Sequence, residues 1–111
     1  MEEHRSNNRI KVDTPVEFRA EGSQTPVRTN LSDLSLSGCY IETMFTLPVG
    51  TKVELTVSLP RPVHLRGVVV TNTPQVGNGI KFELVEGEGE HELRAYIAAA
   101  SAEDAQATSS S

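Results

Sequence analysis

The sequence predicts an all-β domain closed by a single C-terminal helix. Apolar and polar residues alternate through most of the chain, and clusters of turn formers interrupt the alternation about every 8–12 residues. Near the C-terminus the apolar spacing changes from two to the three-and-four pattern of a helix.

The first strand is carried by Ile10, Val12, Val16 and Phe18, all on even positions. A second runs up to Asp33, and GCYIET (38–43) follows as its partner after a short connection. Val53, Leu55, Val57 and Leu59 repeat the alternation, and HLRGVVVTN (64–72) and NGIKFELV (78–85) supply two further strands. The separators are Gly22–Pro26, Pro48–Gly50, Pro60–Pro62 and Pro74–Asn78, all rich in residues that turn the chain. On periodicity alone the result is a small antiparallel barrel or sandwich. Leu93, Tyr96, Ile97 and Ala100 then place one helix over about residues 89–102, with an apolar stripe suited to covering an open barrel end. The expected organisation is an N-terminal arm over 1–9, flexible by composition, a domain over 10–103, and a disordered, small polar tail over 104–111.

At 111 residues the chain holds one small core. It has no apolar run long enough to span a membrane, no signal-peptide h-region, and one cysteine, Cys39. A cytoplasmic, bacterial-type module with no membrane partner is the expectation. The net charge of −5 argues against duplex nucleic acid, which needs clustered cations against phosphates. Cations are nonetheless concentrated at the start, where His4, Arg5, Arg9 and Lys11 fall close together, while acid is densest between Glu83 and Asp104. A local cationic spot on an acidic protein suits a small anionic ligand.

Enzyme chemistry finds little support. His4, His64 and His91 are scattered, none stands in a metal-ligand spacing, and Cys39 has no histidine partner, so no enzyme, metal or cofactor is expected. Cys39 reads as a buried structural thiol. Single-stranded nucleic acid would call for exposed aromatics, and the chain has only three Phe and two Tyr.

Two short segments are of greater interest. In RSNNR (5–9), Arg5 and Arg9 stand four apart, and two planar, permanently charged guanidiniums can fork onto phosphate oxygens or stack on a purine. With seven arginines in the chain, that spacing alone carries little weight. In DLSLSG (33–38), the Asp33 carboxylate can accept from two adjacent N–H groups, as the Watson–Crick edge of guanine offers. Ser35 can add a hydroxyl, and Gly38 lets backbone come close. The same residues also make ordinary turns by bonding their own backbone, so on its own the segment is open to either reading.

RSNNR, DLSLSG and GNGIKF (77–82), in that order, together resemble the PilZ domain family, marked by R-x-x-x-R, (D/N)-x-S-x-x-G and a late G-x-G-(I/V)-x-F strand. GVVV (67–70) resembles the strand before the last. The resemblance spans about residues 4–100. It implies a six-stranded antiparallel β-barrel with a C-terminal α-helix, acting as a cyclic di-GMP receptor. By the same resemblance, Arg5 and Arg9 would engage phosphates and guanine faces, Asp33 and Ser35 would hold a guanine edge, and Gly38 would permit close backbone approach. His4 is an additional candidate contact, and equally an exposed polar residue. GNGIKF is read as structural, with Gly77 and Gly79 shaping a turn and Ile80 and Phe82 filling the barrel. The implied output passes to an unnamed partner protein. An exposed Tyr96 or Ile97 on the helix would favour a homodimer or partner docking. The competing reading is a PilZ-like adaptor that binds proteins and no nucleotide.

Overall fold

The structure, a computed structural model, describes residues 9–110, with side chains described up to residue 100. Six strands form one closed barrel: β1 (Ile10–Ala20), β2 (Val27–Leu34), β3 (Gly38–Glu42), β4 (Lys52–Ser58), β5 (Pro62–Thr73) and β6 (Gly77–Val85). The order around the barrel is β1-β2-β3-β6-β5-β4, and every neighbouring pair is antiparallel. Among the described residues, closure leaves no strand at an open sheet edge. The expected six-stranded barrel with a helix at its C-terminal end is therefore the observed architecture.

Alternation places the core as its period requires. Val16 and Phe18 of β1, Val53, Leu55 and Val57 of β4, and Val63, Leu65 and Val69 of β5 are all buried, joined by Leu31, Leu34, Cys39, Ile41 and Ile80. Phe82, expected inside, is only half-buried at the barrel end. The helix α1 (Gly89–Ser110) lays Leu93 and Ile97 onto this core from one end, with Tyr96 half-buried and its hydroxyl 3.4 Å from Thr14 Oγ1. Ile97 is thus spent on packing and is not a free docking face. The helix continues beyond residue 102, into the segment whose composition suggested a tail, because Ala, Glu and Gln favour helix and neither Gly nor Pro intervenes.

One expectation is corrected by the strand register. Gly77 and Gly79 do not shape a turn; both lie within β6, Gly77 opposite Glu42 and Gly79 opposite Tyr40. The turn is Pro74–Val76, where Gln75 takes a positive φ of 65° and Val76 N–H donates to Thr73 C=O. The glycines are needed for lack of space: a Cβ on Gly77 would stand 2.3 Å from the Ile41 carbonyl oxygen, and one on Gly79 2.3 Å from Thr71 Oγ1.

Candidate functional site

The register gathers Arg9, Asp33, Ser35 and Gly38 at the helix end of the barrel. Ile10 pairs with Leu34 and Lys11 with Asp33, so Arg9 enters β1 beside the first residues of the β2–β3 turn. Arg9 is exposed, and its charge reaches across to Cys39 on β3. Burial pushes the Cys39 thiol far above its usual range, while the nearby guanidinium pulls in the opposite direction. Cys39 is therefore an inert thiol behind the site wall, as its lone occurrence suggested. Arg5 and His4, and with them most of the N-terminal arm, lie outside the described residues.

Asp33 faces out because the local backbone is irregular. Leu31 and Leu34 are both buried although they are three apart, which strict alternation forbids. The ladder slips between Leu31 and Asp33 against β3, and between Lys11 and Thr14 against β1. Such bulges re-aim side chains. Here the slip turns the Asp33 carboxylate outward, 27% exposed and 3.8 Å from Lys11 Nζ.

Ser35 turns the other way. Ser35 is 1% exposed. Its Oγ accepts from Ser37 N–H at 3.2 Å and Gly38 N–H at 3.1 Å, and donates to Gly38 C=O at 3.2 Å. Ser35 N–H also donates to Gly38 C=O at 2.9 Å, and Phe82 N–H donates to Ser37 C=O at 2.8 Å. This hydroxyl is committed to the turn, so Ser35 positions Asp33 and the backbone around it. Gly38 does permit a close approach, but to a neighbouring strand: a Cβ there would sit 2.3 Å from the Ile80 carbonyl oxygen. The turn's remaining apolar residue, Leu36, joins Phe82, Val85 and Leu93 in lining a groove of about 350 Å³ between β6 and α1.

Tyr40 and Asn78 were not singled out in the sequence. Tyr40 is the cross-strand partner of Asp33 on the outer face and is half-buried. Asn78 is fully buried at the opposite end. Its Oδ1 accepts from Leu47 N–H, and its Nδ2 donates to the carbonyls of Leu47 and Thr71 at 2.8–3.1 Å. Only the glycines that flank or neighbour these two residues hinted at their packing.

The arrangement suits anion and purine-edge recognition: one guanidinium, one ammonium and one carboxylate face out over a rigid turn. Among the described residues no group of three His, Cys, Asp or Glu could hold a metal, and no helix is long and apolar enough to cross a membrane.

Comparison with known proteins agrees with this fold. The sequence model of the PilZ domain matches residues 3–99. Among solved structures, MotI/DgrA, the Bacillus subtilis inhibitor of motility, superposes with a TM-score of 0.67 at 18% identity, over 79% of this chain and 46% of that one. The PilZ domain of CeSA from a cellulose-synthesizing bacterium gives 0.65 at 19% identity, over 81% and 94%. The PlzA protein of Borreliella burgdorferi, in complex with c-di-GMP, gives 0.58 at 14% identity, over 86% and 36%. The chain thus spans under half of the MotI and PlzA chains, and at these identities the likeness is one of fold. No curated protein is significantly similar to it.

Proposed function

The chain belongs to the PilZ domain family, a family of regulatory cyclic di-GMP receptors, and from that premise we propose that it binds cyclic di-GMP between its arginine segment and the outer face at Asp33. The observation that carries this reading is the register Ile10–Leu34, Lys11–Asp33, which sets Arg9 and Asp33 at one barrel end. Arg9, with Arg5 four residues earlier in the sequence, supplies guanidiniums for the phosphates and guanine faces. Asp33 accepts from the N1 and N2 hydrogens of one guanine. Lys11 is loosely paired with that carboxylate and 94% exposed, so it can swing to a phosphate once the guanine edge arrives. Ser35 and Gly38 act through the turn by keeping its geometry fixed, which lowers the ordering cost of binding.

Output passes to a partner protein through the occupied face. Leu36 offers a route from the turn to α1, because the two elements line one groove.

Isothermal titration with cyclic di-GMP tests the reading. Saturable binding at micromolar ligand is expected, with Arg9→Ala and Asp33→Ala each weakening it by about tenfold or more, as befits charge-assisted hydrogen bonds. Absence of binding would leave the adaptor reading in place. One observation favours that reading as a second: Met44, Phe45, Val49 and Val76 expose large apolar side chains at the end away from Asp33.

A further inference from the structure

The outer face beside Asp33 carries a row of residues that the register aligns across five strands: Lys11, Asp33, Tyr40, Gly79 and Thr71. Two members are charged and one is aromatic. The strand beyond Tyr40 presents glycine twice on this face, at 77 and 79, so no side chain rises there to cover the ring.

The ring is seated firmly. A Cβ on Gly77 would lie 2.6 Å from Tyr40 Cε2 and 3.0 Å from Cζ, so the ring rests directly on the β6 backbone. Tyr40 is nevertheless only half-buried. Packing of an aromatic over a strand glycine would by itself account for the seat. It does not account for the placement, in which the side chain starts beside Asp33 in the register and its ring reaches over Gly77 with one side open.

We infer that Tyr40 is a specificity-determining contact, the aromatic surface against which the guanine held by Asp33 stacks. This rests on the cyclic di-GMP reading of the site. Directly opposed residues on adjacent strands hold their Cβ atoms about 5 Å apart, so a base whose edge meets Asp33 lies within stacking reach of the Tyr40 ring. A ring already held on Gly77 loses little freedom on binding. The contact selects a purine by its area, while Asp33 selects guanine by its hydrogens.

The test compares Tyr40→Phe and Tyr40→Leu by titration with cyclic di-GMP. Stacking of a base on an aromatic side chain predicts about a tenfold or greater loss of affinity for Tyr40→Leu, and a change within about twofold for Tyr40→Phe. A second measurement leaves position 40 unchanged. The chain has two tyrosines and no tryptophan, so in a Tyr96→Phe background all tyrosine emission comes from Tyr40, and cyclic di-GMP should quench it saturably. Wild-type affinity in a folded Tyr40→Leu protein would overturn the inference and leave the receptor reading standing. Equal losses in the Phe and Leu variants would also overturn it, by assigning the effect to the hydroxyl. Unquenched emission at saturating ligand would do the same without relying on the Leu variant's folding. If the wild type binds no cyclic di-GMP, both readings fall together.

Discussion

The two ends of this barrel solve the same problem with opposite residues. At the helix end, β2 and β3 are joined by a tight turn whose polar groups bond one another through the Ser35 hydroxyl. At the far end, β3 and β4 are joined by a longer loop tethered through one buried amide, Asn78, to Leu47. The first end leaves Arg9, Lys11 and Asp33 facing water. The second leaves Met44, Phe45 and Val49 exposed at 67%, 83% and 62%. In both cases a buried polar side chain satisfies backbone groups that a connection would otherwise strand. What differs is the chemistry left over on the outside, charged at one end and apolar at the other. A turn closed on itself is a stiff mount for charged contacts, whereas a tethered loop can shift without disturbing the barrel wall.

The largest effect should come from breaking the stiff end. In Gly38→Ala the new methyl meets the Ile80 carbonyl oxygen, and backbone on two strands must separate to admit it. Overpacking of this kind should cost about 3 kcal/mol and lower the melting temperature by about 15 °C. The site should fail with it, because Asp33 rides on the same turn. Cys39, adjacent to Gly38 and inert in the wild type, should become accessible to a thiol reagent well below the melting temperature. Slow labelling together with wild-type affinity would mean that the turn is less stiff than its hydrogen bonds imply.

Asn78→Leu breaks the other end and should cost somewhat less. Three hydrogen bonds disappear, but the freed groups of Leu47 belong to a loop that can reach water. A loss of about 2 kcal/mol, or about 10 °C in melting temperature, is expected. Affinity for cyclic di-GMP, measured well below the melting temperature, should remain within about twofold of wild type, inside the range of unrelated sites. A parallel loss of affinity would show that the two ends are mechanically coupled.

This contrast also explains what could be read in the sequence. Strand alternation identified most of the core, because nearly every inward residue of β1, β4 and β5 obeys period two. Asp33 could be picked out by its chemistry, yet its outward direction could not be derived, since parity with Leu31 would have pointed it inward. Only the slipped register around Ser32 turns it, and that slip depends on pairing with β1 and β3 at once. Ser35 illustrates the opposite limit. A serine beside glycine suits a ligand or a turn equally well in sequence, and burial makes it part of the turn. Gly77 and Gly79 read as turn formers because their composition is that of turns. Their real constraint is the space taken by Ile41, Tyr40 and Thr71, which are distant in sequence. Tyr40 escaped notice for the same reason, since its neighbours on the outer face come from other strands.

The smallest effect should come from the exposed loop itself. Phe45 is the most exposed of the large apolar residues among those described, so its ring contributes little burial to lose. The loop's local shape is held by Thr43, whose hydroxyl accepts from Phe45 N–H at 3.2 Å and lies 3.4 Å from the Phe45 carbonyl oxygen. Neither bond involves the ring. Phe45→Ser should therefore change stability by less than about 0.5 kcal/mol and leave the melting temperature within about 3 °C of wild type. Binding of cyclic di-GMP should be unchanged, because the proposed site lies at the opposite end of the barrel. Sedimentation at high concentration gives the sharper reading. Removing one of several clustered apolar side chains lowers self-association wherever the exposed patch drives it. If melting drops by as much as in Asn78→Leu, the ring must pack against the loop. The far end would then be a second closed structure, and the contrast between the two ends would disappear.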